Sequence, residues 1–197
     1  MPEPPPHLEL PDRAAWRAWL AAHHTQPDGV WVVLGRKAAT APHLRYAEAV
    51  EEALCFGWID SRPGKLDATR SLLYFAPRKP GSGWAATNKA RIERLLADGQ
   101  MAPAGLAKID AAKRDGSWTR IDGAIALVVP DDLAVALARH PGAAAHFEAF
   151  PPSAKRALLE WIATAKRPET RARRIEETAT KAARGERANV WTPKGTS

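Results

Sequence analysis

The sequence predicts a mainly α-helical α+β fold, in which helices cover a small antiparallel sheet. Two segments are rich in β-branched and aromatic residues and are bounded by turn signals, VWVVLGRK from Val30 and SLLYFA from Ser71. About seven other segments space their apolar residues as a helix does. With so few strands among so many helices, a small covered sheet is favoured over a parallel crossover arrangement.

The N-terminal segment is predicted to be an extended leader followed by a helix. Residues 1–10 contain four prolines, which favour an extended and flexible chain. Asp12 precedes a stretch in which Trp16, Trp19 and Leu20 fall on one helical face. We therefore expect Asp12 to cap that helix.

The middle of the chain predicts two more helices, separated by a turn and the second strand. Residues 46–56 have helical spacing, with acidic residues in the first two turns, and Gly57 is expected to end this helix. Residues 61–67, SRPGKLD, are interpreted as a turn. Ser82, in the loop after the second strand, is expected to cap a helix over residues 84–97.

In the C-terminal half, the sequence predicts helices, except at residues 121–130, an apolar run whose spacing fits neither a helix nor a strand well. The predicted helices span residues 103–115, 131–140, 141–150, 153–167 and 168–185, with Asp131 and Ser153 as expected caps. The resulting division is a leader at residues 1–10, an N-terminal α+β domain at residues 11–125, a C-terminal helical module at residues 126–187 and a tail at residues 188–197.

Positive charge is concentrated in two blocks of the sequence. The chain has a net charge of +7; residues 61–120 contribute +7 and residues 151–197 contribute +6, whereas residues 1–60 and 121–150 contribute −3 each. Basic blocks that meet in the fold would attract anions, while basic and acidic blocks that pair would cancel. The charge makes a small anion one candidate partner and nucleic acid another.

Composition excludes several kinds of site. The single cysteine excludes an intramolecular disulfide and any multi-cysteine metal site within one chain. No histidines have metal-ligand spacing, and the common nucleotide-binding and hydrolase motifs are absent, so we predict no metal and no cofactor. The N-terminus lacks the features of a signal peptide and no apolar run approaches the length of a membrane span, so we expect a cytoplasmic protein without a membrane span.

Residues 52–61, EALCFGWIDS, contain the single cysteine. No histidine lies near Cys55 in the sequence, and free cysteine is among the residue types most often buried. The sequence therefore favours a buried structural thiol over a reactive one. Trp58 and Asp60 leave the predicted helix beside a basic block, and we interpret them as one wall of a charged pocket.

Residues 76–95 combine a strand end, a loop and the start of a helix. The loop carries Arg78 and Lys79, and the backbone N–H groups of a helix N-terminus also attract anions. Asn88 lies one helical turn after Trp84, on the same side. The segment is either an anion or ligand site or an ordinary connection with solvated cations.

The second basic cluster lies in residues 165–177. Arg167, Arg171 and Arg174 form one positive stripe along a predicted helix, and neighbouring glutamates can pair with part of it. The stripe is either a solvated, salt-bridged face or a contact surface for phosphate, nucleic acid or a partner protein.

Eight tryptophans are present, and most are expected to anchor the core. Trp58 and Trp84 differ from the others because both flank turns beside polar groups. At those two positions, stacking on a ligand is the alternative to core packing.

Three blocks of the sequence are specific in their order and spacing. They are YAEAVEEALCFGWIDS from Tyr46, FAPRKPGSGWAATNKARIERLLADGQMAPAGLAKIDAAKRDGSW from Phe75, and WIATAKRPETRARRIEE from Trp161. Together they resemble the bacteriocin-protection, YdeI/OmpD-associated family over about residues 8–187, and residues 130–187 are similar to its OmpD-associated module. The family's motif residues carry over here as Glu52, Cys55, Phe56, Gly57, Trp58, Asp60, Arg78, Trp84, Asn88, Lys166, Thr170 and Arg171.

The resemblance implies tolerance of bacteriocins, cationic peptides or envelope stress, and association with an outer-membrane porin. It implies no established reaction. Our first hypothesis is therefore a stress-tolerance protein that binds a small anionic ligand, without catalysis, in a pocket of aromatic and basic side chains. The predicted ligand residues come from all three blocks: Trp58, Asp60, Arg78, Trp84, Asn88, Lys166 and Arg171.

The second hypothesis is a nucleic-acid-binding protein that uses both basic blocks. Its binding would weaken steeply with salt, because phosphate contacts release counterions. Its predicted contact residues are Arg78, Lys79, Lys89, Arg167, Arg171 and Arg174.

The third hypothesis is an enzyme, which the sequence favours less than a binding protein. Asp60 or Glu52 would act as the base. Arg78 or Lys166 would stabilise the anion that the reaction forms.

Overall fold

The computed structural model describes residues 6–36 and 43–189. Two compact units make up this part of the chain: residues up to 82 together with residues 87–115 form the first, and residues 83–86 together with residues from 116 onward form the second. The predicted class, α+β and mainly α, is confirmed. The first five residues of the predicted leader and residues 190–197 of the predicted tail lie outside the described residues.

The first unit contains a small mixed sheet. Its strands are β1 (His7–Leu8), β2 (Val30–Gly35), β3 (Trp58–Lys65) and β4 (Arg70–Pro77), in the order β1-β2-β4-β3. The pairs β2–β4 and β3–β4 are antiparallel, and the first of them joins the two strands that the sequence predicted. The pair β1–β2 is parallel, and β1 comes from the stretch that the sequence placed in an extended leader.

Strand β3 was missed in the sequence, where residues 61–67 were interpreted as a turn. Pro63 and Gly64 are strong turn signals, but both lie within β3. Proline is tolerated there because β3 is an edge strand, and its pairing register shifts between Asp60 and Pro63. The turn interpretation is wrong because pairing with β4 at the edge of the sheet outweighs the turn preference of Pro63 and Gly64.

Four helices lie between residues 13 and 114 of the described chain: α1 (Arg13–His23), α2 (Tyr46–Cys55), α3 (Ala86–Ala97) and α4 (Pro103–Arg114). The predicted cap of α1 is confirmed, since Asp12 Oδ1 accepts a hydrogen bond of 2.8 Å from the backbone N–H of Ala15. The predicted cap of α3 is wrong. The Ser82 hydroxyl donates to the Lys79 carbonyl instead, and α3 begins later than expected.

Trp16 anchors the core of the first unit. Its ring is fully buried, 5.4 Å from the ring of Phe75 on β4, and its Nε1–H donates to the Ala49 carbonyl of α2 at 3.0 Å. One side chain of α1 therefore holds both the sheet and α2. Burying an aromatic side chain of this size stabilises the fold by about 3 kcal/mol.

The second unit is helical in its described part. Its helices are α5 (Asp122–Ile125), α6 (Asp131–Arg139), α7 (Ala143–Ala149), α8 (Pro152–Ala163) and α9 (Pro168–Ala183). Helix α9 packs against α6, α7 and α8 around an apolar core that includes Leu133, Phe147 and Leu158. The ambiguous run at residues 121–130 contains the short helix α5.

Two expected helix caps in this unit are wrong. The residues at the capping positions of α6 and α8 are Pro130 and Pro151, so Asp131 and Ser153 lie inside the first turns. A proline has the extended backbone that a capping position requires, and this decides where each helix begins.

No helix in the described part of the chain is both long and apolar enough to cross a membrane.

Candidate functional site

A cleft of about 760 Å³ lies within the first unit. It is formed by the turn at residues 27–29, by side chains of β3 and β4, by residues 77–82 and by Lys108 of α4. Its volume falls in the range of small-molecule sites. We call it the basic cleft.

The basic cleft uses the face of the sheet opposite to Trp16. Ile59 pairs with Ala76 and both line the cleft, whereas the next residue along β4 toward its start, Phe75, contacts Trp16. Cross-strand partners share a face and successive residues alternate between faces. The sheet therefore separates the core of this unit from the cleft.

Gly29 allows the turn before β2 to lie directly on β4. A Cβ atom at this position would collide with the carbonyl oxygen of Phe75 and would lie 2.7 Å from the Cβ of Ala76. No other residue fits this approach, so the glycine places one wall of the cleft.

Four cations line the basic cleft among the described residues, against the single carboxylate of Asp28. They are Arg62, Arg78, Lys79 and Lys108. This excess of positive charge within one concave surface favours an anion.

Arg78 is the most buried of these cations, with 6% of its surface exposed. Burial lowers the pKa of Arg78 to about 10, and the charge of Asp60 opposes this shift, so the guanidinium stays positive at neutral pH. Its backbone N–H donates to the Gly57 carbonyl at 3.0 Å. A charge removed from water in this way attracts an anion more strongly than an exposed charge does.

Lys108 is placed by close packing against Gly57. A Cβ at Gly57 would lie 2.5 Å from Cγ of Lys108, and Gly57 itself has a φ of +75° where α2 gives way to β3. The glycine is needed both for this backbone conformation and for the approach of α4.

Arg62 lies over an aromatic pair at one edge of the cleft. Its guanidinium carbon is 4.3 Å from the ring centroid of Tyr74 and 5.5 Å from that of Trp31. The two rings meet edge to face, with centroids 5.3 Å apart. Cation–π attraction holds the guanidinium in place.

A polar cluster brings together three of the predicted ligand residues. The Tyr46 hydroxyl donates to Asp60 Oδ2 at 3.4 Å, and burial together with the Asp60 charge raises the pKa of Tyr46 while Arg91 opposes the rise. Arg91 in turn donates to Asn88 Oδ1 at 3.1 Å. Asp60 also acts electrostatically on Arg78, so Asp60, Asn88 and Arg78 belong to one neighbourhood.

The two predicted stacking residues lie in the packing of their own units. Trp58 is 1% exposed and its Nε1–H donates to the His24 carbonyl at 3.0 Å. Trp84 is 2% exposed, with its ring 5.0 Å from that of Trp118 in the second unit. Neither ring offers an open face for stacking on a ligand in this structure.

Two arginines of the predicted basic stripe are engaged within the second unit. Arg171 forms two hydrogen bonds with Asp132, of 2.7 and 2.9 Å. Arg174 donates to the Trp161 carbonyl and lies over the Trp161 ring at 5.1 Å. These contacts hold α9 in its unit. They also engage two of the residues that were predicted to contact nucleic acid.

Lys166 and Arg167 are exposed just before α9. The single pocket that would unite all seven predicted ligand residues stays a prediction, as does the nucleic-acid surface of the second hypothesis. No group of three or more His, Cys, Asp or Glu side chains in the described residues is arranged to hold a metal ion.

Glu52 and Cys55 lie away from the lining of the basic cleft. Glu52 is 1% exposed and carries two ion pairs, with Arg13 and Arg17. Cys55 is fully buried, as the sequence predicted, and burial and the nearby Glu52 charge raise the pKa of its thiol.

Sequence reasoning missed Arg62 and Lys108. Arg62 was assigned to a turn because of the following proline and glycine, and residues 58–63, WIDSRP, have no apolar–polar alternation that would indicate a strand. Lys108 was placed correctly on a helix, but helical spacing does not tell which other element that helix packs against.

Two family models match the chain. One, described as a domain of unknown function (DUF8412), matches residues 8–108, which is just over half of the 197 residues. The other, described as bacteriocin-protection, YdeI or OmpD-associated, matches residues 126–185 and confirms the resemblance there. No curated protein and no solved structure matches the chain.

Proposed function

We propose that this chain, which belongs to the DUF8412 domain family and whose residues 126–185 match the bacteriocin-protection, YdeI or OmpD-associated model, binds a small organic anion in the basic cleft. The observation that carries the proposal is the charge of the cleft. Arg78 is almost completely buried, and three more cations line the same cleft against one carboxylate.

The energetics favour an anion with more than one negative charge. Two opposite unit charges 4 Å apart attract by about 4 kcal/mol at the effective dielectric constant of a protein surface, against about 1 kcal/mol in bulk water. A monovalent anion would leave much of the positive charge of the cleft unbalanced. A phosphate ester, with up to two negative charges, would offset more of it.

The proposal is for binding rather than catalysis. Glu52, one base of the catalytic hypothesis, has its two carboxylate oxygens 2.5 Å from Arg13 and 2.6 Å from Arg17. Both oxygens of this buried side chain are engaged by arginines, so neither is presented to a substrate. This arrangement supports a structural role for Glu52.

The tolerance role that the family description names belongs to the same proposal. A bacteriocin-sensitive bacterium that expresses the chain should survive bacteriocin better than one without it. A variant with a neutralised cleft should lose this gain, if the anion that the cleft binds is part of the role. Association with a porin stays a prediction.

Isothermal titration calorimetry with ribose 5-phosphate as the probe tests anion binding. The double variant Lys79→Gln/Lys108→Gln removes two cations from the cleft and should weaken binding about tenfold, since each exposed charge contributes up to about 1 kcal/mol. Binding by the unchanged chain should also weaken as salt is raised.

The matched control is Lys113→Gln, which makes the same charge change on α4 outside the lining of the cleft. It should bind as the unchanged chain does. Absence of binding by the unchanged chain, or equal weakening by the control and the cleft variant, would overturn the proposal.

A further inference from the structure

One edge of the basic cleft places a cation over aromatic rings. There the charge of Arg62 lies over Tyr74, 4.3 Å from the ring centroid, with Trp31 beside it. We call Arg62 with Tyr74 and Trp31 the Arg62 ledge.

The guanidinium of the Arg62 ledge is planar and has two faces. The guanidinium carbon lies over the Tyr74 ring, and the Arg62 side chain is exposed and lines the cleft, so we expect a guanidinium face to be accessible to a ligand. A guanidinium plane is a stacking surface for flat aromatic rings, including nucleobases. Because Tyr74 already orders the side chain, a ligand that stacks on it loses less conformational freedom of the protein.

The Arg62 ledge and the buried cation occupy different ends of the same cleft. Tyr74 lies on β4 and Arg78 follows the end of that strand, four residues later. At the rise of an extended strand, four residues span about 13 Å. A ligand that contacts both ends therefore has a flat group at one end and its negative charge at the other.

We propose that the ligand of the basic cleft is a free nucleoside monophosphate, with its base stacked on Arg62 and its phosphate bound by Arg78, Lys79 and Lys108. This inference rests on the proposed anion-binding function and narrows its ligand class. A cleft of about 760 Å³ has room for one nucleotide. The phosphate supplies the two negative charges that the cations of the cleft favour.

Calorimetry on the full chain with AMP, ribose 5-phosphate and adenosine separates the two ends of the ligand. AMP should bind at least about fivefold more tightly than ribose 5-phosphate, because stacking on a cation contributes about 1 kcal/mol. Adenosine, which lacks the phosphate, should bind more weakly than either.

The variant Arg62→Lys keeps the positive charge and removes the planar face. AMP should then bind only as tightly as ribose 5-phosphate, whose own affinity should not change. The matched control is Arg114→Lys, at the exposed end of α4, which should keep the preference for AMP.

The outcomes distinguish this inference from the function on which it rests. Equal binding of AMP and ribose 5-phosphate by the unchanged chain would overturn the nucleotide assignment and leave anion binding standing, as would a preserved AMP preference in Arg62→Lys. Failure of every phosphate probe to bind would overturn both. A short oligoadenylate that binds more tightly than AMP would replace the free nucleotide by a nucleic-acid strand.

Discussion

The Nε atom of Arg13 lies 2.5 Å from Oε1 of Glu52, a side chain that is only 2% exposed. Arg17 reaches the other carboxylate oxygen at 2.6 Å. The same two arginines donate to Gln100, at 3.0 Å to its side chain and 2.8 Å to its backbone carbonyl. One buried carboxylate therefore ties α1 to α2 and, through its arginines, to the segment after α3.

We expect Glu52→Gln to lower the free energy of unfolding by about 2 kcal/mol. The substitution keeps the shape but removes the charge, and it turns an N–H donor of the new amide toward an arginine donor. This loss of stability is smaller than for a fully buried ion pair. The side chains of Arg13 and Arg17 are 35% and 40% exposed, so water can solvate their charges once the carboxylate is gone. Urea unfolding followed by tryptophan fluorescence measures the change.

The control for this variant is Glu93→Gln, an exposed glutamate of α3. It should change the free energy of unfolding by less than about 0.5 kcal/mol. Equal stability of Glu52→Gln and the control would show that the two ion pairs contribute nothing net.

The Cys55 thiol should be unreactive in the folded chain. It is fully buried, and burial first and the Glu52 charge second raise its pKa, so the thiolate that attacks a disulfide reagent is scarce. At pH 8, we expect Ellman's reagent to label the native chain about a hundredfold more slowly than the chain in urea. Because Cys55 is the only cysteine, the signal has a single source; prompt labelling of the native chain would contradict the buried placement.

The sequence predicted the elements whose signals are local. Asp12 caps α1 as expected, and the glycine at position 57 follows the last turn of α2. These features depend on a few consecutive residues, which the sequence displays directly. Strand β3 was missed because its pairing with β4 at the sheet edge, which overrides Pro63, is a relationship between distant segments.

The same distinction applies to the candidate site. For Arg78 and Lys79, which follow a strand end within one short loop, the sequence left open an anion site or an ordinary connection with solvated cations; both residues line the basic cleft. Arg62 and Lys108 reach the same cleft from other segments, which only the tertiary packing brings there. Trp58 was expected at the pocket wall, but the alternation of β3 directs it to the face that packs on α1.

The ion pair between Asp132 and Arg171 should contribute stability that depends on pH. Hydrogen bonds from Arg171 lower the pKa of Asp132 in the folded chain below its ordinary value of 3.8. The folded state therefore binds this proton less readily than the unfolded state does. The contribution is complete above about pH 4 and is lost as the pH falls through the lowered pKa.

We therefore expect Asp132→Asn to lower the free energy of unfolding by about 0.5 kcal/mol at pH 6, since both side chains are partly exposed. The difference from the unchanged chain should shrink as the pH falls below about 3. Thermal unfolding of both proteins at pH 6 and below about pH 3 measures this difference in stability. The control is Asp131→Asn, in the same turn of α6, which should change the free energy of unfolding by less. If the difference between Asp132→Asn and the unchanged chain grew in acid, the ion pair would not have the pH dependence described above.

Gly105 lets α4 begin against the end of α2. A Cβ atom at Gly105 would collide with the Cys55 carbonyl oxygen and would lie 2.7 Å from its carbonyl carbon. The backbone N–H of Ala102 donates to the same carbonyl at 3.2 Å, so the approach is held by a hydrogen bond that a shift of α4 would break. Lys108 lies one turn further along α4 and lines the basic cleft.

We expect Gly105→Ala to lower the free energy of unfolding by about 1–3 kcal/mol, because the added methyl group meets backbone that cannot rotate away. It should also weaken the binding of ribose 5-phosphate, because the displaced helix carries Lys108 away from the cleft. Urea unfolding and calorimetry on the same protein measure the two effects. The control is Gly123→Ala, whose new Cβ would have its nearest contact at 4.0 Å and should change stability by less than about 0.5 kcal/mol. A Gly105→Ala chain with unchanged stability and affinity would mean that α4 is not held against α2 at this distance.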